Sequence, residues 1–253
     1  MAQIRIAVDP GDILGRQLTD LEQSQLPFAA SQAANKVAFE VRERWKRQAP
    51  RVFDRPTPLT VNAAMYRKAS KERPYAEVYL RDEAFKGTPP AKYLLAEVDG
   101  GQRRRKGFER LLQSRGLLSP SQYAVMGRGA RANRYGNVPA GQVTKILSQL
   151  GAQRDRYQNQ TSASAKRRKT RAPTGGEYFV LTKRRGKLQP GIYERITTGW
   201  GSAVRSIFIF TNTASYRPRY DIFGMAEDTW KKLMPFYLQR ELEKAMQTAR
   251  PLP

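Results

Sequence analysis

The chain has 253 residues, 40% of them hydrophobic, and a formal net charge of +24 from 46 Lys or Arg against 22 Asp or Glu. This length suits one large domain or two small ones, and a field of this sign selects polyanions: nucleic acid, an anionic membrane face or an acidic protein surface. Neither Cys nor His occurs, which excludes disulfides, Cys-ligated zinc, thiol nucleophiles, Ser-His-Asp triads, zinc hydrolases and HNH-type nucleases. No apolar run reaches the ~18 residues of a membrane span, and the first residues lack a signal pattern. The expectation is a protein made in a cytoplasm, with no membrane and no cofactor.

In chain order, Gln3 to Val8 alternate in polarity and predict a short strand, ended by the turn chemistry of Asp9-Pro10-Gly11-Asp12. A helix is expected from about Ser24 to Gln48, with Pro27 in its first turn and a stripe of Phe28, Ala34, Val37, Ala38, Val41 and Trp45. Thr57 to Lys68 predicts a short helix with Thr57 as N-cap and Pro58 at N1. Tyr75 to Arg81 alternates as a strand does. Tyr93 to Gly101 is a short apolar run stopped by glycines, so Glu97 and Asp99 read as the end of a strand.

Between Gly101 and Gly176 lie 17 Lys or Arg residues and two acids, Glu109 and Asp155. Short helices are expected at Phe108–Ser114 and Val138–Leu150. Gly127 to Gly136 and Arg154 to Gly176 read as loops, the second as mobile. Glu177–Thr182 and Pro190–Ile196 predict a hairpin across the turn Lys183–Lys187. Ala203–Thr211 reads as the strongest strand, and a final helix follows from about Asp221 to Thr248, kinked or divided at Pro235. The class expected is α+β: a small, mostly antiparallel sheet with long helices near both ends. Residues 1–100 and 177–253 together form one domain, and 101–176 a basic insertion.

Catalytic signatures are sparse. Gly191-Ile192-Tyr193 is half of a GIY-YIG signature, with no Tyr-Ile-Gly following it, and fits a strand. Glu97 and Asp99 offer two carboxylates to a magnesium ion, but no Glu-x-Lys follows to complete a nuclease site. The glycine pair Gly127-x-Gly129 has no strand before it, and no P-loop is present. The chain therefore reads as a non-enzyme. Its basic runs suit backbone phosphates without base readout. The residues expected to touch a polyanion are Arg103, Arg104, Arg105, Lys106, Lys166, Arg167, Arg168, Lys169, Arg184 and Arg185. Tyr123, Tyr135 and Tyr157 either stack on bases or pack the insertion's own core.

The two ends of the chain resemble the minor tail protein Z family of long-tailed bacteriophages. The likeness lies in Leu26 to Ala38, where a proline and small residues precede Asn35-Lys36-Val37-Ala38. It continues in Glu177–Thr182, Lys183–Lys187, Pro190 to Arg195, the strand to Thr211 and the terminal helix with Leu238-Gln239-Arg240-Glu241-Leu242. It spans about half of the chain, and Pro50 to Gly176 departs from it. What the resemblance implies is a tail-completion or neck protein of the virion, at the head-proximal end of the tail. It implies a homo-oligomeric ring contacting tail terminator, tail tube or tape measure, and non-specific contact with the DNA end. The alternative is a free nucleic-acid-binding protein of phage packaging or replication.

Overall fold

In the computed structural model the chain begins with β1 (Gln3–Ile6), α1 (Asp20–Val52), α2 (Pro58–Val61), β2 (Ala64–Arg67), β3 (Ala76–Leu80) and α3 (Pro90–Val98). It continues with β4 (Gly101–Gln102), α4 (Gly107–Ser114), β5 (Tyr123–Met126), α5 (Ala140–Gln149) and α6 (Ser162–Arg171). Then come β6 (Glu177–Leu181), β7 (Gly191–Thr198), β8 (Gly201–Thr211), β9 (Ser215–Tyr216) and α7 (Ile222–Thr248). The structure describes residues 2–7, 20–70, 73, 75–85, 87–171, 176–198 and 201–248. The expected turn Asp9–Asp12 lies outside them. The fold class is α+β, with antiparallel sheets and long helices toward both termini.

The chain divides into two compact units, residues 1–101 with 217–253 and residues 102–216. This differs from the expected insertion of 101–176, because β5 pairs antiparallel with β8, from Tyr123↔Thr211 to Met126↔Phe208. That ladder draws the hairpin strands into the same unit as the basic block. No local pattern announces such a pairing, since its partners lie some eighty residues apart.

In the first unit, α1 buries Ala33, Ala34, Val37, Ala38, Val41, Trp45 and Ala49, the three- and four-residue spacing of one helix face. Small residues there let α7 approach closely, and the two helices run antiparallel. The Trp45 indole N–H donates to the Ile222 carbonyl at 3.0 Å, and the Tyr220 hydroxyl donates to the Trp45 carbonyl at 2.9 Å. Further along, Lys36 meets Glu241 at 2.7 Å. The helix starts at Asp20, so Pro27 lies inside it and not in its first turn. The polar run before Gln25 carries too weak a stripe to mark that start. Nor does Pro235 divide α7. Pro235 is exposed while Met234 and Leu238 are buried, so water can serve the carbonyl the proline leaves unpaired.

A three-stranded antiparallel sheet of order β1-β3-β2 lies against this helix pair. Ile6, Ala64, Val78 and Leu80 are buried in the shared core. The expected helix over Thr57–Lys68 is only α2, one turn capped by the Thr57 side chain, which accepts from Thr60 N–H; β2 follows directly. Glu97 and Asp99 do not end a strand. Glu97 belongs to α3 and Asp99 caps it. A short apolar run fits either element, and Pro90 at the first helical position settles this one.

The second unit holds a four-stranded antiparallel sheet of order β5-β8-β7-β6. The hairpin β6–β7 pairs Glu177↔Arg195 through Leu181↔Gly191, as its sequence predicts. Leu112, Leu118, Ile146, Leu147, Ile192, Ile207 and Phe208 form the core, with α4 and α5 packed on the sheet. The Gly127-x-Gly129 pair continues the edge of β5 along β8: Gly127 N–H donates to the Ile207 carbonyl and Gly129 N–H to that of Ser206. A Cβ at either position would come within 2.6 Å of β8. The pair is thus a close strand approach. The stretch expected to be an irregular loop from Arg154 to Gly176 instead contains a 3-10 turn, Arg156–Gln158, and the ten-residue helix α6.

Candidate polyanion-binding surface

Charge is segregated between the two units. Residues 102–216 hold 23 Lys or Arg and four acids, so they carry +19 of the chain's +24. Residues 1–101 and 217–253 hold the other 23 cations and 18 acids and are nearly balanced. The ten expected contact residues all fall in the basic unit, yet the structure sorts them into two kinds.

Arg103 is part of the core architecture. Its guanidinium donates to both oxygens of Glu109, at 2.9 and 2.5 Å, and to the Ala124 carbonyl at 3.3 Å. Its side chain is 11% exposed and that of Glu109 fully buried. Glu109 also accepts the backbone N–H of Lys106 at 2.6 Å and of Ala124 at 2.8 Å. Burial alone would raise the Glu109 carboxyl, but Arg103 and the two amides together hold it below the ordinary glutamate range. Glu109 thus ties the start of α4 to β5, and it is the node that sequence reasoning missed. An isolated acid three residues into a helix, beside four cations, was the available signal.

Arg105 also turns inward. It donates to the Pro120 carbonyl and lies 4.8 Å from the Tyr123 ring centre, with Arg103 at 5.1 Å from the same ring. Tyr123 is buried, and its hydroxyl donates to Gln102. Tyr123 therefore packs the unit and does not face bases. Tyr135 is half-buried, and Tyr157 stands out in solvent under Arg156. Arg168 folds back to the Gly176 carbonyl at 3.1 Å.

The outward cations are Arg104 and Lys106, Lys166, Arg167 and Lys169 on α6, and Arg184 and Arg185 on the hairpin turn, all exposed. Helix α6 is too polar to bury an apolar face, and Lys166, Arg167 and Lys169 project from it. Lys166 and Arg167 line a shallow depression of about 500 Å³ with Ala163 and Thr170. Beside it, Lys145 of α5 and Arg168 line a larger cleft of about 770 Å³ with Gln149, Gln153, Tyr178 and Glu194. Lys145 was not among the expected residues; a lone lysine on a helix gives no signal of its own. Glu194 at the cleft is neutralised by its cross-strand partner Arg205, at 2.6 Å.

The alternative carboxylate pair does not converge. Glu97 is bound to Arg219 through both oxygens, at 2.6 and 3.1 Å, while Asp99 is exposed. Among the described residues no cluster of three or more acids is placed to hold a metal. Gly191-Ile192-Tyr193 forms the start of β7, with the Tyr193 hydroxyl donating to the Gln189 carbonyl. Comparison with known proteins gives no match: no family model, curated protein or solved structure is significantly similar to the chain.

Proposed function

We propose that the chain is a non-enzymatic structural protein of a phage virion, acting at the head-proximal end of the tail, where its basic unit holds DNA by the backbone. The observation that carries DNA contact is the segregation of +19 into residues 102–216. A surface of that kind neutralises phosphates and releases counterions without reading bases. Its contact residues are Arg104, Lys106, Lys166, Arg167, Lys169, Arg184 and Arg185, with Lys145 added. Arg103 instead ties to Glu109 at the start of α4, Arg105 is turned onto Pro120 and Tyr123, and Arg168 lines the cleft. The placement in a tail rests on the resemblance of the two chain ends to the minor tail protein Z family. Assembly as a ring beside tail terminator, tail tube or tape measure follows from the same likeness.

Two measurements test this. Purified virions should contain the protein in a fixed small copy number. Recovery only from infected-cell lysate, bound to nucleic acid, would refute the virion role and favour a free packaging or replication protein. Separately, affinity for a duplex fragment should fall steeply between 50 and 200 mM salt, roughly 10³-fold or more if six or more phosphates are contacted. Salt-independent binding would sink the phosphate reading.

A further inference from the structure

The sheet β1-β3-β2 buries one face against the helices; its other face carries an organised set of guanidinium, aromatic and amide groups. Residues 77 and 79 of the central strand point outward together, since side chains alternate along a strand. Register fixes two cross-strand rows. In the first, Arg5 and Arg67 both pair with Glu77; in the second, Gln3 and Met65 both pair with Tyr79.

The first row has excess positive charge held in place. Glu77 is 4% exposed, and three guanidiniums converge on it: Arg67 at 3.1 Å, Arg5 and Arg73 at 3.6 Å. One carboxylate cannot neutralise three arginines, so the row retains two positive charges and unused N–H donors facing outward. Two of the three stay largely open, with 65% and 58% of the Arg5 and Arg67 side chains exposed. Tyr faces steady the guanidiniums: Arg67 lies over Tyr79, and Arg5 and Arg73 over Tyr75.

The second row joins an amide, an aromatic ring and a thioether. Tyr79, Met65 and Gln3 line an open groove of about 1100 Å³ together with Arg67, Arg81 and Phe85. Phe85 is 99% exposed, so it contributes nothing to the core and loses its hydrophobic gain to water unless a ligand covers it. Asp82 and Glu83 also border the groove, which makes this face far less cationic than the second unit. Strand geometry sets the two rows about 7 Å apart, a gap that one nucleotide bridges between base and phosphate.

We infer that this outer face is a stacking platform for unpaired nucleotides of a single-stranded nucleic acid. The base packs against Tyr79 and Phe85, Gln3 meets its polar edge, and the phosphate lies at Arg5 and Arg67. A duplex does not fit, because its bases are already stacked and paired. With about two phosphates held at Arg5 and Arg67, binding at this face weakens with salt at a slope of only ~1.4, at ~0.7 per phosphate, far less steeply than contact with six or more. That property separates it from backbone contact by residues 102–216, on which it does not depend.

The experiment is fluorescence anisotropy of the full chain with a labelled oligo-dT and with a duplex of equal length, at low salt and at about 0.3 M. The single strand should remain bound at the higher salt when the duplex has been released. Phe85→Ala, which leaves the folded core intact, should weaken oligo-dT binding about 5-fold or more, the low end of base–aromatic stacking, and leave duplex binding unchanged. Arg67→Gln should act in the same direction, whereas Arg184→Gln with Arg185→Gln should weaken both ligands at low salt. A 5-bromouracil oligonucleotide should photocross-link to Tyr79 or Phe85. Unchanged oligo-dT affinity in Phe85→Ala, equal losses on both ligands, or adducts confined to residues 102–216 would each overturn the inference.

Discussion

Glu109→Ala gives the sharpest test of how the basic unit is built. Its carboxylate accepts two bonds from Arg103 and one each from the Lys106 and Ala124 amides. Alanine strands all four donors: two backbone amides, and a guanidinium whose side chain is 11% exposed. Breaking a buried pair from one side costs about 3–5 kcal/mol, because the remaining charge keeps its desolvation penalty. That is a large share of the ~5–15 kcal/mol that holds a domain folded. At a urea slope of about 2 kcal/mol/M, the unfolding midpoint should fall by about 1.5–2.5 M, followed by far-UV circular dichroism. Adding Arg103→Met removes the stranded charge and should restore part of the loss. A midpoint within ~0.3 M of the parent would refute the assignment of Glu109 as the tie between α4 and β5. The pH dependence follows the same logic. The folded carboxyl lies below its unfolded value, so its stabilisation is present above the glutamate range. It should be lost as pH falls below about 4, through the folded value, and Glu109→Gln should flatten that limb.

Three further outcomes are expected. Tyr220→Phe removes the hydroxyl's bond to the Trp45 carbonyl, which keeps its helical partner, and should cost about 0.5–1.5 kcal/mol by thermal or urea unfolding. Burial raises the Tyr220 hydroxyl well above the ordinary tyrosine range, so the parent should lose stability as pH rises beyond about 10, and the Phe variant should lose less. Gly191→Ala would set a Cβ 2.3 Å from the Phe208 carbonyl oxygen, and the strand shift it forces should cost about 1–3 kcal/mol in the same assays. Replacing Lys166, Arg167 and Lys169 together by Gln should leave stability unchanged and lower the salt slope of duplex binding by up to about 2.7, at ~0.9 for each phosphate no longer neutralised; an unchanged slope would take α6 out of the interface.

Local chemistry carried much of the fold. The alanine-rich stripe of α1 and the branched and aromatic run of β8 each declare their element without help from a partner. So do the Thr57-Pro58 cap and the basic turn between β6 and β7, because the information is contained within a few neighbouring residues. Where the short apolar run Tyr93–Val98 fits two templates, and where the chain after the one turn of α2 becomes strand Ala64–Arg67, the same reading gave the wrong element.

Composition alone set the sign of the chain's field and, through the absence of His and Cys, the chemistries that the chain cannot perform. Tertiary structure decided which cations remain free. Arg103 and Arg104 are neighbours in one basic run, yet Arg103 is bound to Glu109 while Arg104 faces solvent. Only folding brings Ala124 to Glu109, Arg219 to Glu97, and Arg5, Arg67 and Arg73 to Glu77. A charge is written in the sequence, but its availability depends on which distant group has been folded against it.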